Sequence, residues 1–131
     1  MYDELVAWID EALAQGIPED AVAVCFNVYE DGESSWSMEL VACSSFDPDD
    51  DDWACDEISD FGTRDNPFTW GFEGDWEAVL TDIGAKLTKC LKTEEGADKL
   101  SELDGVAVGF VDGDLVILKC WYLGTELMSF R

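Results

Sequence analysis

The chain has 131 residues, room for one domain with a real core, and it is 47% hydrophobic and 12% aromatic, which excludes a disordered acidic tail. Its 31 acids, seven bases and no histidine give a net charge of −24, which repels nucleic acid and anionic lipid and steers cationic partners toward it. The charge is uneven: residues 1–85 hold 23 acids and one base (−22), whereas residues 86–131 hold eight acids and six bases (−2).

The N-terminal residues Met1 to Val6 carry no basic segment and no uninterrupted apolar run, so no signal peptide is expected. No stretch approaches the roughly 18 apolar residues of a membrane-spanning helix. Cys25, Cys43, Cys55, Cys90 and Cys120 are odd in number and widely spaced, which predicts reduced thiols in a cytoplasmic protein. Without histidine or paired cysteines, a structural zinc site is not expected.

Taken in order, Tyr2, Leu5, Val6, Ile9, Ala12 and Leu13 recur at helical spacing and predict a helix from Tyr2 to about Gln15, stopped by Gly16 and Pro18. Ala21 to Tyr29 reads as a strand covered on both faces, with Val22, Val24, Phe26 and Val28 on one side and Ala21, Ala23 and Cys25 on the other. Glu30 to Ser34 supplies turn chemistry, and Trp36, Met38, Leu40 and Ala42 alternate with Ser37, Glu39, Val41 and Cys43 in a second strand. These two strands are expected to form a hairpin.

Ser44 to Glu77 then carries twelve carboxylates against one cation, Arg64, interleaved with Trp53, Phe61, Phe68, Trp70, Phe72 and Trp76. Its composition reads as a long acidic loop, with too many rings to stay wholly unpacked. Gly74-Asp75 marks a helix start, and Trp76, Val79, Leu80, Ile83, Leu87, Cys90 and Leu91 follow at i, i+3, i+4, i+7, i+11, i+14 and i+15. Lys86, Lys89 and Lys92 lie near its C-terminal end, where cations complement the macrodipole.

A short helix is expected over Ala97 to Leu103, and a second hairpin over Val106–Val111 and Leu115–Lys119 around Asp112-Gly113-Asp114. The tail from Trp121 to Arg131 reads as a further strand or a docked segment. The expected fold is therefore a single α+β domain over residues 1–131: an antiparallel sheet built from two β-hairpins, with two main amphipathic helices packed mainly on one face.

The carboxylates do not specify a catalytic or metal site. Asp47, Asp49 and Asp51 match positions 1, 3 and 5 of an EF-hand loop, but Asp52 stands where glycine is needed and Ile58 where a bidentate glutamate is needed. General acid–base chemistry needs two carboxyls at a set separation with divergent pKa values, and a crowded run defines no such pair. Cys55 has acidic neighbours, Asp56 and Glu57, and no histidine base exists, so nucleophilic catalysis is not expected. A non-enzymatic binding protein without cofactor is the expectation. Interfaces draw their energy from a few buried aromatic anchors, while surrounding charge sets encounter rate and partner choice. The residues with that composition are Asp47, Asp49, Asp50, Asp51, Asp52, Trp53, Asp56, Glu57, Asp60, Phe68, Trp70 and Glu73.

In layout, and in the motifs Phe46-Asp47-Pro48-Asp49-Asp50-Asp51-Asp52-Trp53-Ala54-Cys55-Asp56-Glu57-Ile58 and Gly109-Phe110-Val111-Asp112-Gly113-Asp114, the chain resembles the immunity proteins of bacterial polymorphic-toxin and contact-dependent growth inhibition systems. That resemblance implies a cytoplasmic protein that binds and neutralises a cognate basic toxin domain, often a nuclease, by covering its active site. Two other readings stand beside it. An acidic protein can mimic the phosphate array of DNA and fill the groove of a restriction or CRISPR enzyme, and the Asp run can bind calcium weakly.

Overall fold

The computed structural model describes residues 2–14, 16–46, 57–62, 66–93, 103, 105–110, 115–120 and 125–130. They form an α+β fold of two helices and one mixed sheet, in the order α1 (Tyr2–Leu13), β1 (Ala23–Gly32), β2 (Ser35–Cys43), β3 (Glu57–Gly62), β4 (Phe68–Gly71), α2 (Trp76–Thr93), β5 (Gly105–Phe110), β6 (Leu115–Cys120) and β7 (Thr125–Phe130).

Helix α1 forms where Leu5, Trp8, Ile9, Ala12 and Leu13 make a buried stripe, with Asp3 and Glu4 in the first turn facing the positive end of the helix dipole. Gly16 ends it at φ 85°, a left-handed conformation that suits glycine, and its N–H bonds the Leu13 carbonyl at 3.0 Å.

At the centre of the sheet β4, β2, β1 and β5 lie side by side; β3 pairs with the other half of β2, and β6 and β7 continue beyond β5. Strands β1 and β2 are antiparallel, from Ala23↔Cys43 to Gly32↔Ser35, with a bulge between Glu30 and Gly32. Strands β1 and β5 are parallel, from Ala23↔Gly105 to Val28↔Phe110.

The sheet is therefore mixed, not the antiparallel one expected from the sequence. The cause is α2. Strand β4 runs antiparallel to β2, so it points the same way as β1. Eighteen helical residues then carry the chain back by about 27 Å, at roughly 1.5 Å per residue, and β5 re-enters in the direction of β4 and β1. A parallel pair requires such a crossover.

A second correction concerns Ser44–Glu77. This stretch contributes β3 and β4 to the sheet, so it is not one long loop. The predicted short helix at 97–103 lies outside the described residues except for Leu103, which is buried, as does the Asp112–Asp114 turn.

The two faces of the sheet differ in content. Val24, Phe26, Val28, Trp36, Met38, Leu40, Ala42, Val106 and Val108 pack with the buried stripes of α1 and α2 in the main core. On the other face Ala23, Cys25, Val41, Cys43 and Ala107 form a smaller cluster, with Val22 and Phe46 half-buried against it. Both helices thus lie on one face. Lys89 sits over the Tyr2 ring at 4.2 Å from its centroid, joining α2 to α1. Cys25, Cys43 and Cys90 are buried, and no described helix is long and apolar enough to cross a membrane.

Candidate partner-binding surface

One end of the sheet gathers the β1–β2 turn, the β4–α2 connection and the end of β5, because Gly32 pairs with Ser35, Ser35 with Gly71, and Val28 with Phe110. Ser34 takes φ 58° in the tight turn, a left-handed conformation that serine rarely adopts. Its carbonyl accepts the Phe72 N–H at 3.0 Å, while the Trp36 indole N–H donates to the Phe72 carbonyl at 3.0 Å. The Phe72 backbone is thus held from two sides. Gly74 follows at a close approach: a Cβ there would meet Phe72 Cε1 at 2.8 Å and the Ala78 Cβ at 3.1 Å.

Asp75 then caps α2, its Oδ1 accepting the Ala78 N–H at 2.9 Å and its carbonyl the Val79 N–H at 3.0 Å. This places Trp76 as the first helical residue, 55% exposed. Its ring meets Phe110 edge-on, with centroids 6.2 Å apart, and Phe110 meets the buried Trp36 edge-on at 5.9 Å. Its neighbours in the chain Glu73, Asp75 and Glu77 are exposed, and so are Glu30, Asp31 and Glu33 in and before the β1–β2 turn. Asp75, Glu77, Ala78, Thr81, Asp82 and Ala85 line an open depression of about 650 Å³ along α2.

The carboxylate excess covers more than this corner. Asp3, Glu4, Asp10, Glu11, Glu19 and Asp20 are exposed on and after α1. Among the residues whose side chains are described, the cations are Lys86, bonded to Asp82 one turn earlier, and Lys89, engaged by Tyr2. One-signed surfaces of this kind focus a field and raise the encounter rate with ligands of opposite charge.

The residues singled out from the sequence divide into four groups. Asp47, Asp49, Asp50, Asp51, Asp52, Trp53 and Asp56 lie outside the described residues. Glu57 and Asp60 belong to β3, with Glu57 opposite Cys43, so Phe46 and Glu57, the described residues flanking the Asp run, lie at the sheet end away from Trp76. Phe68 is 7% exposed and packs against Trp8 at 5.6 Å, inside the core. Trp70 is half-buried and stacked on Phe68 at 5.6 Å and 29°. Its buried Nε1 has no hydrogen-bond partner among the described residues. Glu73 is exposed, three residues before Trp76.

Trp76 escapes sequence reading because it falls in register with the buried stripe of α2. Its place at the helix start, one turn ahead of the buried Val79 and Leu80, is the signal that separates it. A second polar cluster lies on the opposite face, where the buried Glu39 Oε1 accepts the Tyr29 hydroxyl at 2.7 Å and the Asn27 amide at 3.2 Å, and the Cys25 thiol donates to Asn27 Oδ1 at 3.2 Å. These bonds satisfy a carboxylate that would be costly to bury alone. Among the described residues, no group of three or more Cys, Asp or Glu side chains is arranged to hold a metal ion. No protein-family model, curated protein or solved structure matches this chain.

Proposed function

We propose that this chain is a non-enzymatic acidic binding protein that neutralises a cognate basic toxin domain, of the nuclease type, by occluding its active site or substrate groove. The observation that carries the reading is the one-signed surface: a net charge of −24 on a folded α+β domain, with exposed carboxylates on α1, the β1–β2 turn and the α2 start. A field of this size favours encounter with a cationic protein and disfavours nucleic acid, anionic membrane and a second copy of the chain. The exposed Trp76 adds the kind of aromatic contact that converts encounter into residence. A DNA mimic would use charge spaced along an extended surface and has less need of such a ring.

The decisive experiment is co-expression with the C-terminal domain of a secreted toxin encoded beside this gene. Restored growth and co-purification of the two proteins support the reading. Unchanged killing together with no complex contradicts it.

A further inference from the structure

We propose that the exposed Trp76 ring, backed by Phe110 and neighboured in the chain by the exposed Glu73, Asp75 and Glu77, is the point at which the chain grips an arginine side chain on a basic protein partner. The inference rests on the partner-binding reading above and narrows it to one corner of the molecule and one type of side chain.

Trp76 is 55% exposed, whereas Val79, Leu80 and Ile83, next on the same helical stripe, are at most 2% exposed. The ring does not cap the helix, because Asp75 does so. It is nevertheless held in place. Its edge-on contact with Phe110, itself edge-on to the buried Trp36, restricts the indole before any partner arrives, and a pre-oriented aromatic loses little entropy on binding. With Trp76 55% exposed, ring surface remains for a cation.

Charge selects the occupant. The face of an indole carries negative quadrupole density, and the chain's net charge of −24 adds a negative field, so a cation is favoured twice. Asp75 and Glu77 also serve the helix start, but Glu73 precedes the cap, where no helix position requires an acid. Among cations, guanidinium is planar and weakly hydrated, stacks on rings and bonds carboxylates in a two-pronged fashion, whereas the lysine ammonium is compact and strongly hydrated. Arginine is accordingly the side chain this corner fits.

The test follows the indole N–H resonances of the full chain by two-dimensional NMR at low salt, with the Trp76 peak identified by its loss in W76F. Hexa-arginine and hexa-lysine peptides are the probes, and W76L, which keeps apolar bulk without a π face, is the variant. The expected result is that the Trp76 peak shifts most and that hexa-arginine binds more tightly than hexa-lysine. W76L should weaken hexa-arginine binding about two- to five-fold, the range of an exposed cation–π contact, at an unchanged melting temperature, while W76F retains most of the affinity. Peptide binding with an unmoved Trp76 peak, or equal losses in W76F and W76L, overturns this corner and leaves the acidic-partner reading standing. No binding of either peptide at low salt overturns both.

Discussion

Replacing Gly105 with alanine probes the seam from which the acidic stretch leaves the sheet. Gly105 opens β5 and is held on both sides, paired with Ala23 of β1 and Cys120 of β6, so its backbone has little room to retreat. A methyl group there would lie 2.2 Å from Phe46 Cε1, 2.3 Å from Cδ1 and 2.6 Å from Cζ, whereas carbon atoms in contact rest at about 3.5–4.0 Å. The ring has to move, and overpacking of this kind costs about 1–3 kcal/mol. Against it stands the roughly 0.5–1 kcal/mol that alanine ordinarily gains over glycine within a strand. The net loss is then up to about 2.5 kcal/mol, with a midpoint near 1 kcal/mol that for a domain of this size lowers Tm by roughly 3–5 °C. Thermal unfolding of the wild type, G105A, F46A and the double variant isolates the cause. G105A should destabilise the wild type yet be neutral, or stabilising by about 0.5 kcal/mol, once F46A has removed the ring. Equal destabilisation in both backgrounds would refute the Phe46 contact as its origin.

Two further outcomes are expected. D75A removes the side chain that accepts the Ala78 N–H and should cost about 1 kcal/mol in urea or thermal unfolding; an unchanged midpoint would mean that Asp75 does not cap α2. Raising NaCl from low to physiological concentration should raise Tm, because screening at a Debye length of about 8 Å relieves repulsion among the exposed carboxylates; a flat or falling Tm would count against a self-repelling fold.

How far the sequence discloses this molecule depends on whether an element is specified locally. Helix α2 is legible because the apolar period from Val79 to Leu91 and the Asp75 cap agree, and both are present in the structure. Strands β1 and β2 are legible from their alternation, although β1 runs on through Glu30–Gly32 and the turn shrinks to Glu33-Ser34. Strand β3, Glu57–Gly62, is not legible, since Glu, Asp and Gly are poor strand formers and β2 supplies the pairing. Strand β4 is hidden for a similar reason: four residues within an acidic stretch carry little pattern, and the Trp36↔Trp70 and Met38↔Phe68 pairs that fix it are long-range.

The parallel β1–β5 pairing is likewise a property of the α2 crossover and not of either strand. At the candidate surface, composition discloses the acidity, but periodicity cannot rank the rings. Phe68 and Trp70 look like anchors in sequence and pack with the core, while Trp76 looks like core and is exposed.

If acidity steers a basic protein to this chain, the association rate of the purified pair, measured by stopped flow across a salt series, carries the signature. Wild-type protein should associate with the toxin domain at a rate that falls steeply as salt rises. Charge reversal at Asp49, Asp50, Asp51 and Asp52 should slow association at low salt and flatten that dependence without changing folding. A wild-type rate indifferent to salt, or a charge-reversed variant that associates as fast as wild type at low salt, would contradict the account.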